Sequence, residues 1–246
     1  MNKYTLLLAV LFLSLSAASC NKEETPSPEP EPIIASPIPD TIRYLALGDS
    51  YTIGQSVSYE ERWPVQLAAQ LDMAFPDTIY YVEEPDIIAR TGWTTANLLQ
   101  AIAAANTLQS SYDLVSLLIG VNNQYQNRPI DIYRTEFREL LEQAISFAGG
   151  DTTRVIVLSI PDYAFTPFGQ GSSNPGLISM QIDQYNDLNR EMTASYGVTY
   201  FDITPVSRQG LAQPGLVASD GLHPSGAMYA LWVAEIQDYV AGVLDL

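Results

Sequence analysis

From position 41 onward, short apolar runs alternate with longer amphipathic ones. The segments IRYLAL (42–47), DIIA (86–89), DLVSLLI (113–119), RVIVLSI (154–160) and VTYFDI (198–203) read as strands. Several are continuously apolar, as parallel strands covered on both faces tend to be. Between them, PVQLAAQLDMAF, TTANLLQAIAAAN, IYRTEFRELLEQAISFA and ISMQIDQYNDLNREMTASY read as helices. Near the C-terminus, Met228, Trp232, Ile236, Tyr239 and Val243 recur at three- and four-residue spacing and so line one face of a further helix. Pro224 is expected in its first turn, where a missing N–H costs nothing, which places His223 at or just before a helix N-terminus. Regular alternation of strand and helix predicts an α/β fold, a three-layer α/β/α sandwich with a mostly parallel sheet. Neither an internal repeat nor a second folded domain is visible.

The first forty residues have a different pattern. Residues 1–19 combine Lys3, an apolar run from Leu6 to Leu15 and then small residues, which reads as an export signal; a membrane span would need about 20 apolar residues. Small residues directly before the lone Cys20 resemble the lipobox of bacterial lipoproteins, which implies lipidation of Cys20 and a membrane anchor at the outer membrane or cell surface. Ala17 stands where lipoboxes usually carry leucine, and conventional cleavage after Ala-Ala-Ser is the alternative. Residues 20–40 mix acidic residues with repeated proline and read as an extended tether of about 3.1 Å per residue. The acidic run after Cys20 resembles export signals of surface lipoproteins in Gram-negative bacteria. The folded domain is expected over 41–246.

Charge and composition narrow the chemistry. With 28 acidic against 11 basic residues the net charge is −17, which argues against nucleic acid or anionic headgroups as general partners. One histidine and one cysteine cannot build a His/Cys zinc site. The chain also has no glycine-rich phosphate loop and no dinucleotide fingerprint, so no metal or cofactor is expected.

In sheets of this kind, ligands bind beyond the carboxyl ends of the strands, which directs attention to the turn at each strand's end. YLAL runs into Gly48-Asp49-Ser50, DIIA into Thr91-Gly92-Trp93, SLLI into Gly120-Val121-Asn122-Asn123, and the last strand leads by a loop to Asp220-Gly221-Leu222-His223. A serine hydroxyl needs a base to become a nucleophile near pH 7, and His223 is the sole histidine. Asp220, three residues earlier, can take the Nδ1–H and fix the tautomer. The N–H groups of Ser50 and Gly92 and the side-chain amide of Asn122 can serve a developing oxyanion. Taken singly, each residue also has a plain structural use: Ser50 as a helix N-cap, Gly92 and Gly120 in turns, the Asn122-Asn123 pair in a turn, His223 at a helix end.

Taken together, these residues resemble the SGNH (GDSL) hydrolase superfamily: GDSYTIG with Ser50, then Gly92, then GVNN with Asn122, then DGLHP with Asp220 and His223. The resemblance covers 42–244. It implies a flavodoxin-like five-stranded sheet and a metal-independent serine esterase that works through an acyl-enzyme. In that reading Ser50, Asp220 and His223 are catalytic, and Ser50, Gly92 and Asn122 form the oxyanion hole. The third block commonly reads Gly-x-Asn-Asp, whereas Asn123 stands here in place of the aspartate; the change concerns a supporting hydrogen bond. GDSYTIG also differs from the Gly-x-Ser-x-Gly elbow of α/β-hydrolases.

The loop PDYAFTPFGQGSSNPG (161–176) exceeds the usual 2 to 6 residues and is a candidate acyl- or sugar-binding wall through Tyr163, Phe165 and Phe168. Trp93 and Tyr125 come just after catalytic-block residues and are expected in the same cleft, with Asn127 and Arg128 as polar neighbours. The substrate is expected to be a small ester or an acylated glycan, with carbohydrate acetylesterase activity as one reading. Lysophospholipase or thioesterase activity is an alternative, as is a non-catalytic surface lipoprotein that binds glycans.

Overall fold

A computed structural model describes residues 40–74, 80–106, 108–109 and 111–245. The export signal, Cys20 and nearly all of the tether lie outside the described residues. The strands are β1 Asp40–Ile42, β2 Tyr44–Gly48, β3 Tyr80–Val82, β4 Asp86–Ala89, β5 Leu114–Leu118, β6 Val155–Leu158 and β7 Thr199–Phe201. The helices are α1 Ser50–Ile53, α2 Trp63–Ala74, α3 Thr95–Ala104, α4 Val121–Tyr125, α5 Ile130–Phe147, α6 Pro167–Gln170, α7 Pro175–Ser195, α8 Thr204–Ser207 and α9 Gly226–Val243.

Five strands form one sheet in the order β4-β2-β5-β6-β7, with every neighbouring pair parallel. Numbered among themselves, these strands run 2-1-3-4-5, the flavodoxin-like order, whose reversal point lies between β2 and β5. Every residue of β2, β5 and β6 is buried, whereas the edge strands β4 and β7 are partly exposed. Burial on both faces explains why the central strands carry continuous apolar runs. The helices flank the sheet: α2 packs on α9, bringing in the fully buried Trp63 and Trp232, while α3, α5 and α7 pack in succession. On α5, Tyr133, Phe137, Leu140, Leu141 and Ala144 are buried, the stripe that a 3.6-residue period produces. The pair β1–β3 is a small parallel addition that the sequence pattern did not announce.

Register sets the height of the loops. Gly48 lies level with Ala89 on β4 and with Leu118 on β5, so the segments after these strands leave the sheet along one edge. At that edge the backbone is tightly packed: a Cβ on Gly48 would lie 2.1 Å from Thr52 Oγ1 and 2.5 Å from the Leu118 carbonyl. Gly120 has φ +133°, and a Cβ there would lie 2.7 Å from the Tyr133 hydroxyl. Neither position accepts a side chain without displacing its neighbours.

Pro224 departs from expectation. Helix α9 starts at Gly226, and its N-cap is Ser225, whose hydroxyl accepts the Met228 N–H at 3.3 Å. Pro224 lies outside the helix in an isolated antiparallel bridge with Val217. Serine caps the helix because its oxygen satisfies one of the otherwise unpaired N–H groups of the first turn, a service proline cannot perform.

Candidate active site

The turn after β2 delivers Ser50. Asp49, fully buried, caps α1 by accepting the Tyr51 N–H at 3.0 Å. Ser50 is therefore the first helical residue rather than the cap, its N–H has no helical acceptor, and its hydroxyl is free of capping duty. Burial pushes the Asp49 carboxyl up to about 7 despite the backbone hydrogen bonds it accepts.

The turn after the last crossover delivers His223. Its Nδ1 lies 2.6 Å from Asp220 Oδ2. The same oxygen accepts the Ser56 hydroxyl at 2.6 Å, while Oδ1 accepts the backbone N–H groups of Leu222 at 2.9 Å and His223 at 3.0 Å. Partial burial raises the Asp220 pKa, but these donors, the Ser56 hydroxyl and the imidazole foremost, outweigh it and hold the carboxyl well below the usual carboxylate range. With Nδ1–H donating to Asp220, the neutral ring keeps Nε2 as an acceptor. The Tyr51 ring meets the imidazole edge-on, 5.8 Å between centroids. Because Ser225 caps α9, His223 too is free of the structural task that sequence alone allowed it.

The third turn carries two asparagines with separate work. Asn122 Nδ2 donates to the Trp93 carbonyl at 2.9 Å, which orients the amide and leaves its second hydrogen for the cleft. Asn123, buried, accepts the Thr95 N–H at 3.0 Å and donates to Thr95 Oγ1 at 2.7 Å, and the Thr95 hydroxyl donates in turn to Glu136. Asn123 thus ties the third turn to the start of α3, and so to the segment that carries Gly92. The Gly92 carbonyl accepts from Gln126 at 3.4 Å, and Thr91 Oγ1 donates to Gln55 at 2.6 Å.

Ser50, Gly92, Asn122 and His223 line one cleft of about 170 Å³, together with Tyr51, Thr91, Val121, Tyr125, Tyr163, Phe168 and Leu222. The nucleophile candidate, the base candidate and all three oxyanion donors expected from sequence therefore share one concavity, with Asp220 behind the imidazole. Tyr125, Tyr163 and Phe168 form its aromatic side, with ring centroids 6.2 to 6.3 Å apart. Trp93 and Phe165, expected beside them, do not line it. Trp93 packs on the core and contributes only its carbonyl, while Phe165 sits beneath the Arg208 guanidinium, 5.9 Å from the ring centroid. Arg208 is held there by the buried Asp162, whose Oδ2 accepts its Nε–H at 3.0 Å and also takes the Ser179 hydroxyl. The aromatic loop docks on the turn that carries His223 through the Phe168 N–H and the Gly221 carbonyl, 2.9 Å apart.

Ser56 is the polar residue that sequence reasoning missed. It occupies a left-handed backbone conformation, φ 68°, and its partner Asp220 is 164 positions away. No local pattern signals that contact.

Residues 46–231 match the model of the GDSL-like lipase/acylhydrolase family. Among solved structures, an acetyl xylan esterase variant from Geobacillus stearothermophilus is similar at 18% identity and TM-score 0.61, over 82% of this chain and 96% of that one. A member of the lipolytic G-D-S-L family from Veillonella parvula is similar at 17% identity and TM-score 0.57, over 80% and 97%. No curated protein matches the chain.

Proposed function

We propose that this chain, which belongs to the GDSL-like lipase/acylhydrolase family and hydrolyses ester bonds, is a serine esterase that removes short acyl groups, acetyl above all, from carbohydrate. The observation that carries this reading is the convergence of Ser50, the Asp220–His223 pair and three oxyanion donors on one small cleft. Ser50 Oγ attacks the ester carbonyl while His223 Nε2 takes its proton. Asp220 steadies the imidazolium, and the N–H groups of Ser50 and Gly92 with Asn122 Nδ2 receive the oxyanion. Collapse of the tetrahedral intermediate expels the alcohol, which leaves with the proton from His223. Water activated by the same ring then releases the acid from the acyl-serine and restores Ser50.

The acyl preference is a matter of size. About 170 Å³ is below the roughly 300 to 1,000 Å³ of sites that enclose drug-sized ligands, and a long acyl chain would protrude. An acetyl xylan esterase is among the proteins that share the fold, and solved catalytic mutants of that enzyme replace a serine and a histidine by alanine. A panel of p-nitrophenyl esters from acetyl to octanoyl tests the reading. Wild type should turn over acetate fastest and Ser50→Ala should be inactive; an octanoyl optimum would favour the lysophospholipase or thioesterase alternative, and equal rates in both proteins would remove Ser50 from the mechanism. We also propose that Cys20 is lipidated and tethers the enzyme at the cell envelope. Intact-mass analysis of membrane-derived protein should show a diacylglyceryl-type addition, and a mature chain starting at an unmodified Cys20 would overturn that assignment.

A further inference from the structure

Beyond the ridge formed by Tyr125, Tyr163 and Phe168 lies a second depression of about 800 Å³, between α4, α6 and the start of α7. Those three aromatic residues line both concavities, so the groove continues the catalytic cleft. We propose that it binds the alcohol side of the substrate as a neutral oligosaccharide chain several sugar rings long, while the acyl group sits in the small cleft. This rests on the esterase reading above and adds to it that the natural substrate is polymeric and uncharged.

Three features point to that occupant. First, none of the described residues lining the groove is charged, in a chain with 28 acidic and 11 basic residues. An anionic glycan, a phospholipid headgroup or a coenzyme thioester would find no cation there and would meet the field of a protein with net charge −17. Second, Tyr125 and Phe168 are 56% and 46% exposed, large flat apolar surfaces at the lip of the groove of the kind that covers the C–H face of a sugar ring while leaving its hydroxyls accessible. Third, the rest of the wall supplies amides and hydroxyls, Asn127, Ser172, Asn174 and Gln181 among them, which both donate and accept as sugar hydroxyls require. The wall is also set in advance. Gln124 donates to Gln181 at 2.7 Å and accepts the Tyr163 hydroxyl at 3.0 Å, and Asn174 caps α7 by accepting the Leu177 N–H at 3.1 Å. A fixed wall spares a ligand the entropy of ordering it.

The double variant Asn127→Gly/Leu177→Ala thins the groove with little strain, because Asn127 has φ 54°, which glycine adopts freely, and Leu177 is an exposed helical position that suits alanine. Acetylated neutral xylo-oligosaccharides of increasing length and p-nitrophenyl acetate are assayed side by side. In wild type, kcat/KM should rise with chain length; in the double variant the ratio of oligosaccharide to p-nitrophenyl acetate kcat/KM should fall about tenfold, equivalent to about 1.4 kcal/mol. Equal kcat/KM for every length, with p-nitrophenyl acetate still cleaved, overturns the groove and leaves the esterase reading standing. A binding titration of Ser50→Ala separates the two further. Neutral xylo-oligosaccharides should bind it more tightly than acidic oligogalacturonides of equal length, and the opposite order contradicts the proposal even if no ester is ever cleaved.

Discussion

Two aspartates flank the turns that carry Ser50 and His223 and meet opposite fates. Asp49 precedes Ser50, is fully buried and is pushed up to about 7; Asp220 precedes His223, is only partly buried and is held well below the usual carboxylate range. Burial raises both, but it is complete at Asp49 and partial at Asp220, and the donors widen the difference. Asp220 receives Ser56 Oγ, His223 Nδ1 and two backbone N–H groups, and a carboxylate with that many donors keeps its charge. Asp49 sits in the core with the Tyr51 N–H at one oxygen and serves as a cap. The His223 turn is built around a charge, and the Ser50 turn around a shape.

The largest test of that contrast is Asp220→Asn. Removing the charge that fixes the tautomer of His223 should lower kcat by about 10⁴ with the fold intact by circular dichroism; a loss under tenfold would make Asp220 no more special than Asp49. Asn123→Asp probes a buried position on the third turn. The single proton of Thr95 Oγ1, which now goes to Glu136, would face two carboxylates, and the new buried acid would resemble Asp49 rather than Asp220. We expect a loss of about 1–3 kcal/mol in denaturant unfolding, and an unchanged midpoint would refute the assigned bonds. The same bonds account for the departure from Gly-x-Asn-Asp: in this chain the neighbouring acid is Glu136, and an amide is what pairs with it through Thr95.

Ser56→Gly is subtler. Glycine relaxes φ 68°, so the melting temperature should barely move while kcat falls about tenfold through loss of one charge-assisted hydrogen bond; parallel loss of stability and activity would reduce Ser56 to a loop residue. Smallest is Asp49→Asn, which should keep kcat near wild type. The folded pKa of Asp49 lies above its unfolded value, so the wild type loses stability as pH rises from about 4 to 7, and the variant does not. Its melting-temperature advantage should widen over that interval; a constant difference would show that Asp49 ionises freely in the fold.

The sheet was legible because β2, β5 and β6 are covered on both faces and therefore apolar at nearly every position, the buried Ser116 on β5 being paired with the Tyr44 hydroxyl. Three of the four polar turns were legible because each leaves a strand end, where an α/β sheet places its ligands; the fourth, beyond α8, was legible because it holds the sole histidine. What escaped was set by geometry without a local pattern. Ser56 meets its partner across 164 residues, Trp93 offers the site a carbonyl and not its ring, and Phe165 turns under Arg208. At the start of α9 the two neighbours Pro224 and Ser225 compete for the entry position, and hydrogen-bonding capacity decides for serine. The groove beyond Phe168 depends on three segments meeting, and its lack of charge emerges only once they do.

Covalent trapping decides whether Ser50 is the nucleophile and His223 its base. The protein is treated with a fluorophosphonate, a reagent that captures activated serine, and the adduct is located by peptide mass spectrometry. A single adduct on Ser50, lost in His223→Ala, is the predicted result. An adduct on another serine, or labelling of Ser50 that persists without His223, would contradict it.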